Sequence, residues 1–113
     1  MVTITAIIRL RRGSEAAMRQ ALLEVAAHVE AHEPRTVSFF VSQDSSDPAL
    51  FTTYERFVDR AAMDTHNGSA VVARFFATAD PLLEGKVTLV IADEISAKAC
   101  GGASGVTGGP GLL

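Results

Sequence analysis

TVSFFVSQDSSDPALFTTYERF, residues 36–57, holds two alternating runs separated by a short polar break. In the first run, Thr36 to Asp44, Val37, Phe39 and Val41 share one face and Ser38, Phe40 and Ser42 the other, a period of two that predicts a strand. Asp44-Ser-Ser-Asp-Pro48 has the composition of a turn. The second run, Leu50 to Phe57, is rich in Thr, Tyr and Phe, which suit a pleated surface. A connection this short implies an antiparallel hairpin.

Upstream, Val2, Ile4, Ala6, Ile8 and Leu10 alternate with Thr3, Thr5, Ile7, Arg9 and Arg11, predicting a first strand. Gly13 breaks it, Ser14 is a candidate N-cap, and Glu15 lies near the positive helix end. Met18, Leu22, Val25 and Val29 then recur at helical spacing up to His32, and Pro34 lies just past the end. Downstream, Asp59 can cap a helix running to His66. Asn67-Gly68 interrupts it, and Ser69 can cap a continuation through Val71, Val72, Phe75 and Phe76. Pro81 and Gly85 close that region, and Lys86 to Ile95 reads as the last strand.

The order β-α-β-β-α-β is the split-βαβ arrangement of a ferredoxin-like α+β sandwich with an antiparallel sheet. Residues 1–96 make one domain, consistent with a chain of 113 residues of which 48% are apolar. Residues 97–113 are Gly-rich and read as a flexible tail that buries too little apolar surface to offset its ordering entropy. A net charge of −3 without a basic tract argues against nucleic acid as partner. The sequence shows no signal peptide and no apolar run long enough to cross a bilayer, so a membrane role is not expected. The single cysteine, Cys100, excludes an internal disulfide or a Cys-based zinc site and fits a reducing, cytoplasmic setting.

With both helices on one side of the sheet, the other face carries one of Phe39 and Phe40, and either Tyr54 or the pair Phe51 and Phe57. The last strand adds Val90, or Leu89 and Ile91. A solvated face normally reads as Lys, Glu, Thr and Ser. Self-pairing through the sheet into a homodimer would cover these side chains, whereas scattered surface apolar residues are the plainer alternative.

Phosphate loops, nucleophile elbows and telling carboxylate pairs are all missing from the sequence. His28 and His32 share a helix face with Glu24 one turn earlier, but they flank the apolar stripe as ordinary polar residues, and no metal site is expected. His66 ends the helix after the third strand. It fits a favourable charge at a helix C-terminus and equally a proton donor or acceptor beside a cleft. Phe39, Phe57, Phe75 and Phe76, with Met63, are candidates to line a flat pocket for a small aromatic substrate, although core packing explains most of them equally well.

Glu33-Pro34 after a long first helix, a second strand ending in a polar turn, and the run YERFVDRAAMDTH from Tyr54 to His66 resemble the antibiotic biosynthesis monooxygenase family. The nearest likeness is to its quinol monooxygenase-like branch, and it covers Val2 to about Ile95. The resemblance implies a dimeric α/β barrel and oxidation of a quinol, anthrone or related aromatic by O2 without metal, flavin or haem. It places the family histidine on His66, as base or hydrogen-bond partner to substrate oxygen, and matches Tyr54 and Glu55 to the strand motif. Tyr54 and His66 are thus the catalytic candidates, with Glu55 either chemical or the structural end of a buried hydrogen bond. Phe57 stands where many members carry tryptophan, and a chain without tryptophan departs from the haem-degrading pattern. Because members of one fold differ in reaction, an isomerase or other proton-transfer enzyme and a non-catalytic ligand-binding module stay open.

Overall fold

The computed structural model describes residues 1–99; Cys100 and all but the start of the expected tail lie outside the described residues. The chain runs β1 (Val2–Arg9), α1 (Glu15–His32), β2 (Thr36–Gln43), β3 (Leu50–Phe57), α2 (Arg60–Asn67), α3 (Ala70–Ala79) and β4 (Thr88–Asp93). A short 3-10 turn at Asp80–Leu82 precedes β4. The strands form one antiparallel sheet in the order β2-β3-β1-β4, so the fold is ferredoxin-like α+β.

Register fixes which side chains face the helices. Ala6 pairs with Thr53 on β3 and with Leu89 on β4, and Val41 also pairs with Thr53. These residues therefore share the inner face with Ile4, Ile8, Phe39, Phe51, Glu55 and Phe57. One end of the core joins Ile8 and Phe51 to Met18 and Leu22 of α1, and the other joins Val2, Ile4 and Phe57 to Ala62 and Met63 of α2. Val25 and Val29 of α1 meet Val71 and Val72 of α3 across the helical layer.

Local chemistry accounts for most element ends. Asp59 Oδ1 accepts from the backbone N–H of Ala62, and Ser69 Oγ from that of Val72, so both expected caps form. Ser14 departs from expectation: its side chain makes no capping bond, because its φ of −96° and ψ of 4° lie outside the extended region a capping residue uses. Glu15 instead accepts from the N–H of Gly13, whose φ of +95° suits a residue without a Cβ. The last strand is shorter than Lys86–Ile95. Its pairing with β1 runs only from Thr88, opposite Ile7, to Asp93, opposite Val2.

On the outer face a row crosses all four strands: Phe40, Tyr54, Thr5 and Val90. The Phe40 and Tyr54 rings stack at 6.3 Å and 16°, and Phe40 and Val90 are more than half exposed. That face is not wholly apolar, since the Arg56 guanidinium grips Glu94 through two hydrogen bonds of 2.9 Å. Phe51, by contrast, is 2% exposed within the core. Phe51→Ala should cost about 3–5 kcal/mol, read as a lower urea midpoint at unchanged slope.

Candidate active site

Alternation along β3 turns Thr53 and Glu55 inward between Phe51 and Phe57, where an apolar side chain would be the ordinary choice. α2 buries Ala62, Met63 and His66, so its inner stripe delivers a histidine to the sheet at its last turn. Glu33 is the first residue after α1; its N–H closes the helix on Val29 O at 3.0 Å, and Pro34 turns the chain away towards β2. Three elements therefore bring Glu33, Glu55 and His66 to one place.

The His66 ring lies between the two carboxyl groups. Nδ1 is 2.8 Å from Glu33 Oε1, and Nε2 is 3.4 Å from Glu55 Oε1. The Thr53 hydroxyl donates to Glu55 Oε2 at 2.8 Å, and the Thr36 hydroxyl donates to Glu33 Oε1 at 2.8 Å. Phe39 and Phe57 flank the imidazole, with ring centres at 5.7 and 5.3 Å, which holds it in place and excludes water. His66 is 4% exposed and Glu55 is 7% exposed. Burial pushes the Glu55 carboxyl above its ordinary value, and the charge of Glu33 adds to this. The Thr53 hydroxyl and His66 pull the other way without cancelling it.

Glu55 and His66 face a cavity of about 170 Å³ between the sheet and the helical layer. Ile4, Ala6 and Ile8 form its floor, Leu22 and Val25 one wall, and Val72, Phe75 and Phe76 another. Val87 and Leu89 close the β4 side, and Thr53 and Asn67 join Glu55 and His66 at the polar end. A concave apolar space with a few converging polar groups at one end is the usual form of a small-molecule site. The couple of Glu55 and His66 can take a proton from a ligand, or return one, at the buried end of that space.

The residues singled out from the sequence separate into three groups. His66, Phe39, Phe75 and Phe76 line the cavity. Phe57 and Met63 are buried together with Val2 and Ile4 and do not line it, although Phe57 supports the His66 ring. Tyr54 does not share the cavity with His66: strand alternation puts it on the outer face, stacked on Phe40, so within one chain the two catalytic candidates lie on opposite sides of the sheet. Glu33 and Thr53 were missed, and Glu55 was left between two roles. A signal for Glu55 was present, since an acid in phase with Phe51 and Phe57 must be buried. His28 directs Nε2 at Glu33 Oε2 over 3.5 Å, which ties it to this cluster.

The family model for antibiotic biosynthesis monooxygenase matches residues 1–78. No curated protein matches the chain. Among solved structures, the chain resembles a candidate antibiotic biosynthesis monooxygenase from Caulobacter crescentus CB15, with a TM-score of 0.79, 18% identity, and 84% of this chain and 90% of that one covered. A candidate member from Deinococcus radiodurans gives 0.79 and 22%, covering 90% of this chain and 100% of that one. Another, from Nitrosomonas europaea, gives 0.78 and 18%, covering 85% and 100%. At these identities the structures establish the shared fold.

A carboxyl raised by burial binds its proton more tightly in the folded chain than in the unfolded one. Its contribution to stability is thus fully present below the ordinary value of 4.5 and is lost as pH rises through the folded-state value. Glu55→Gln, uncharged and of equal size, removes this loss. As pH rises above the ordinary value of 4.5, the unfolding free energy of the variant should gain on that of the wild type, measured by urea titration at each pH. Parallel pH curves would contradict the burial of an ionisable Glu55.

Proposed function

The chain belongs to the antibiotic biosynthesis monooxygenase family, and on that basis we propose that it is a cofactor-independent monooxygenase acting on a quinol or related electron-rich phenol with O2. The observation that carries this reading is the meeting of a proton-accepting couple, Glu55 and His66, with an apolar cavity of about 170 Å³. A cavity of about 150 Å³ in another protein holds benzene. The space here therefore has room for one substituted ring.

In this reaction the phenolic O–H places its proton on Glu55, with His66 behind it. The phenolate passes one electron to O2, and the resulting ring radical and superoxide join in a new C–O bond. The peroxide takes back a proton, and its O–O bond breaks as the ring C–H proton is removed. Water leaves and a hydroxyquinone remains, so one oxygen atom enters the ring and the other departs as water. Phe39, Phe75 and Phe76 pack against the ring, and the apolar surroundings of Glu55 and His66 shield the anion on its buried side.

The couple alone also suits an isomerase, since moving a proton within a ligand needs no oxygen. A module that holds an aromatic without turning it over would use the same walls. The outer row of Phe40, Tyr54 and Val90 supports a homodimer paired through the outer sheet face. Among the described residues no helix is long and apolar enough to cross a membrane, and we read the enzyme as cytoplasmic.

Oxygen consumption with hydroquinone and substituted quinols tests the reaction. His66→Ala should lower turnover by about 10²–10⁴-fold while keeping its circular dichroism spectrum. Absence of oxygen uptake across such a series would reject the oxygenase, and unchanged turnover under nitrogen would point to the isomerase. For the assembly, Phe40→Asp combined with Val90→Asp should convert a sedimenting dimer into a monomer; a wild type that already sediments as a monomer would remove the dimer.

A further inference from the structure

Glu33 occupies a position that helix energetics disfavours. A carboxylate directly after the 18 residues of α1 sits at the negative end of the helix dipole, where a cation would be stabilising. It is also nearly buried, with its side chain 10% exposed. What surrounds it is one hydroxyl and two imidazoles, groups able to donate. The Thr36 hydroxyl and His66 Nδ1 both address Oε1 at 2.8 Å, and His28 Nε2 faces Oε2 at 3.5 Å. A carboxylate oxygen met by a hydroxyl and a ring nitrogen at that distance is placed to accept from both.

The other side of the imidazole is different. Nε2 looks at Glu55 over a longer 3.4 Å, and Glu55 is the carboxyl that also lines the cavity. A neutral imidazole carries one proton, and the hydrogen bond made by one ring nitrogen decides which nitrogen is left bare. We propose that Glu33 is a positioning residue for the cavity base: it takes the Nδ1–H of His66 and so leaves Nε2 unprotonated and aimed at Glu55.

This rests on the reading of the cavity as a site of proton transfer, and it adds a division of labour to that reading. A bare Nε2 and Glu55 share a proton only when Glu55 carries it, so as a ligand O–H breaks Glu55 passes its own proton to Nε2 and takes the ligand's in its place, and the ligand is left as an anion. The imidazolium so formed is matched by Glu33, in the way a buried carboxylate matches the histidine of a catalytic triad. Glu33 itself never touches the ligand. With His28 at its second oxygen and Glu55 across the ring, these are the ionisable groups that face the cluster from α1 and β3, and among the described residues no Lys or Arg joins them at these contacts.

Nitrogen-15 and proton NMR of the imidazole in the free protein tests the assignment. The wild type should show a proton on His66 Nδ1, far downfield and slow to exchange. Glu33→Gln keeps a neutral acceptor and should move that signal upfield, and Glu33→Ala should abolish it; either variant suffices should the other fail to fold. A wild-type proton on Nε2 alone, or a signal unmoved in the variants, overturns the proposal. As a second readout, 4-nitrophenol bound to the wild type should absorb in part as its phenolate at a pH where the free phenol is neutral. Glu33→Gln should lower that bound phenolate about tenfold, the size of one unit of lost charge matching. An equal phenolate fraction in both proteins also overturns it. The NMR measurement uses no ligand, so a cavity that rejects every phenol would remove the functional reading while the placement of Glu33 is still decided by the proton signal.

Discussion

A carboxyl group on the covered face of a sheet has lost its water, and the fold must supply something in its place. Isolated in such surroundings an ionised carboxylate is strongly disfavoured. Here Glu55 receives the hydroxyl of Thr53 and faces Nε2 of His66, and His66 in turn is held by Glu33. Removing any one of these partners takes a polar contact from a group that is itself buried. The cluster is therefore a unit, and the elements that bear its members cannot shift independently.

That requirement explains features that otherwise look incidental. α2 is only eight residues long and ends at Asn67, which brings His66 to the sheet at the last turn, before Gly68 and the new cap at Ser69 redirect the chain. Phe39 and Phe57 bracket the imidazole from adjacent strands, with the inner face of the sheet supplying the flat support. In the cavity beside it, Val25 of α1 and Val72 of α3, which also meet in the helical layer, line the space opposite Ala6. A larger residue at Ala6 would fill the floor on which a planar ligand would rest.

Much of this was readable from residue order, because alternation and helical spacing are local signals. The hairpin at residues 36–57, the caps at Asp59 and Ser69, and the break at Asn67-Gly68 all follow from side-chain chemistry over a few positions. What period two could not give was the phase between strands. It left open whether Phe39 or Phe40 faced the helices, a choice fixed only by the pairing of Phe39 with Glu55. For the same reason a motif read along the chain joined Tyr54 to His66, although adjacent strand residues point to opposite faces. Glu33 was harder still. Its partner lies 33 positions away, and a residue at a helix end next to proline reads as punctuation until the sheet brings His66 beside it.

β4 connects the two faces of the molecule. All six of its residues are exposed, and its apolar side chains alternate, with Leu89 walling the cavity on the inner side and Val90 continuing the aromatic row on the outer side. Edge strands with apolar groups on both faces are prone to further association, and proteins commonly protect them. Leu89 and Ile91 stay 52% and 48% exposed because the helical layer does not extend over this strand. A body resting on Val90 would bear on the same backbone that positions Leu89. A partner covering the outer face would therefore rest on the same strand whose Leu89 forms a half-exposed wall of the cavity.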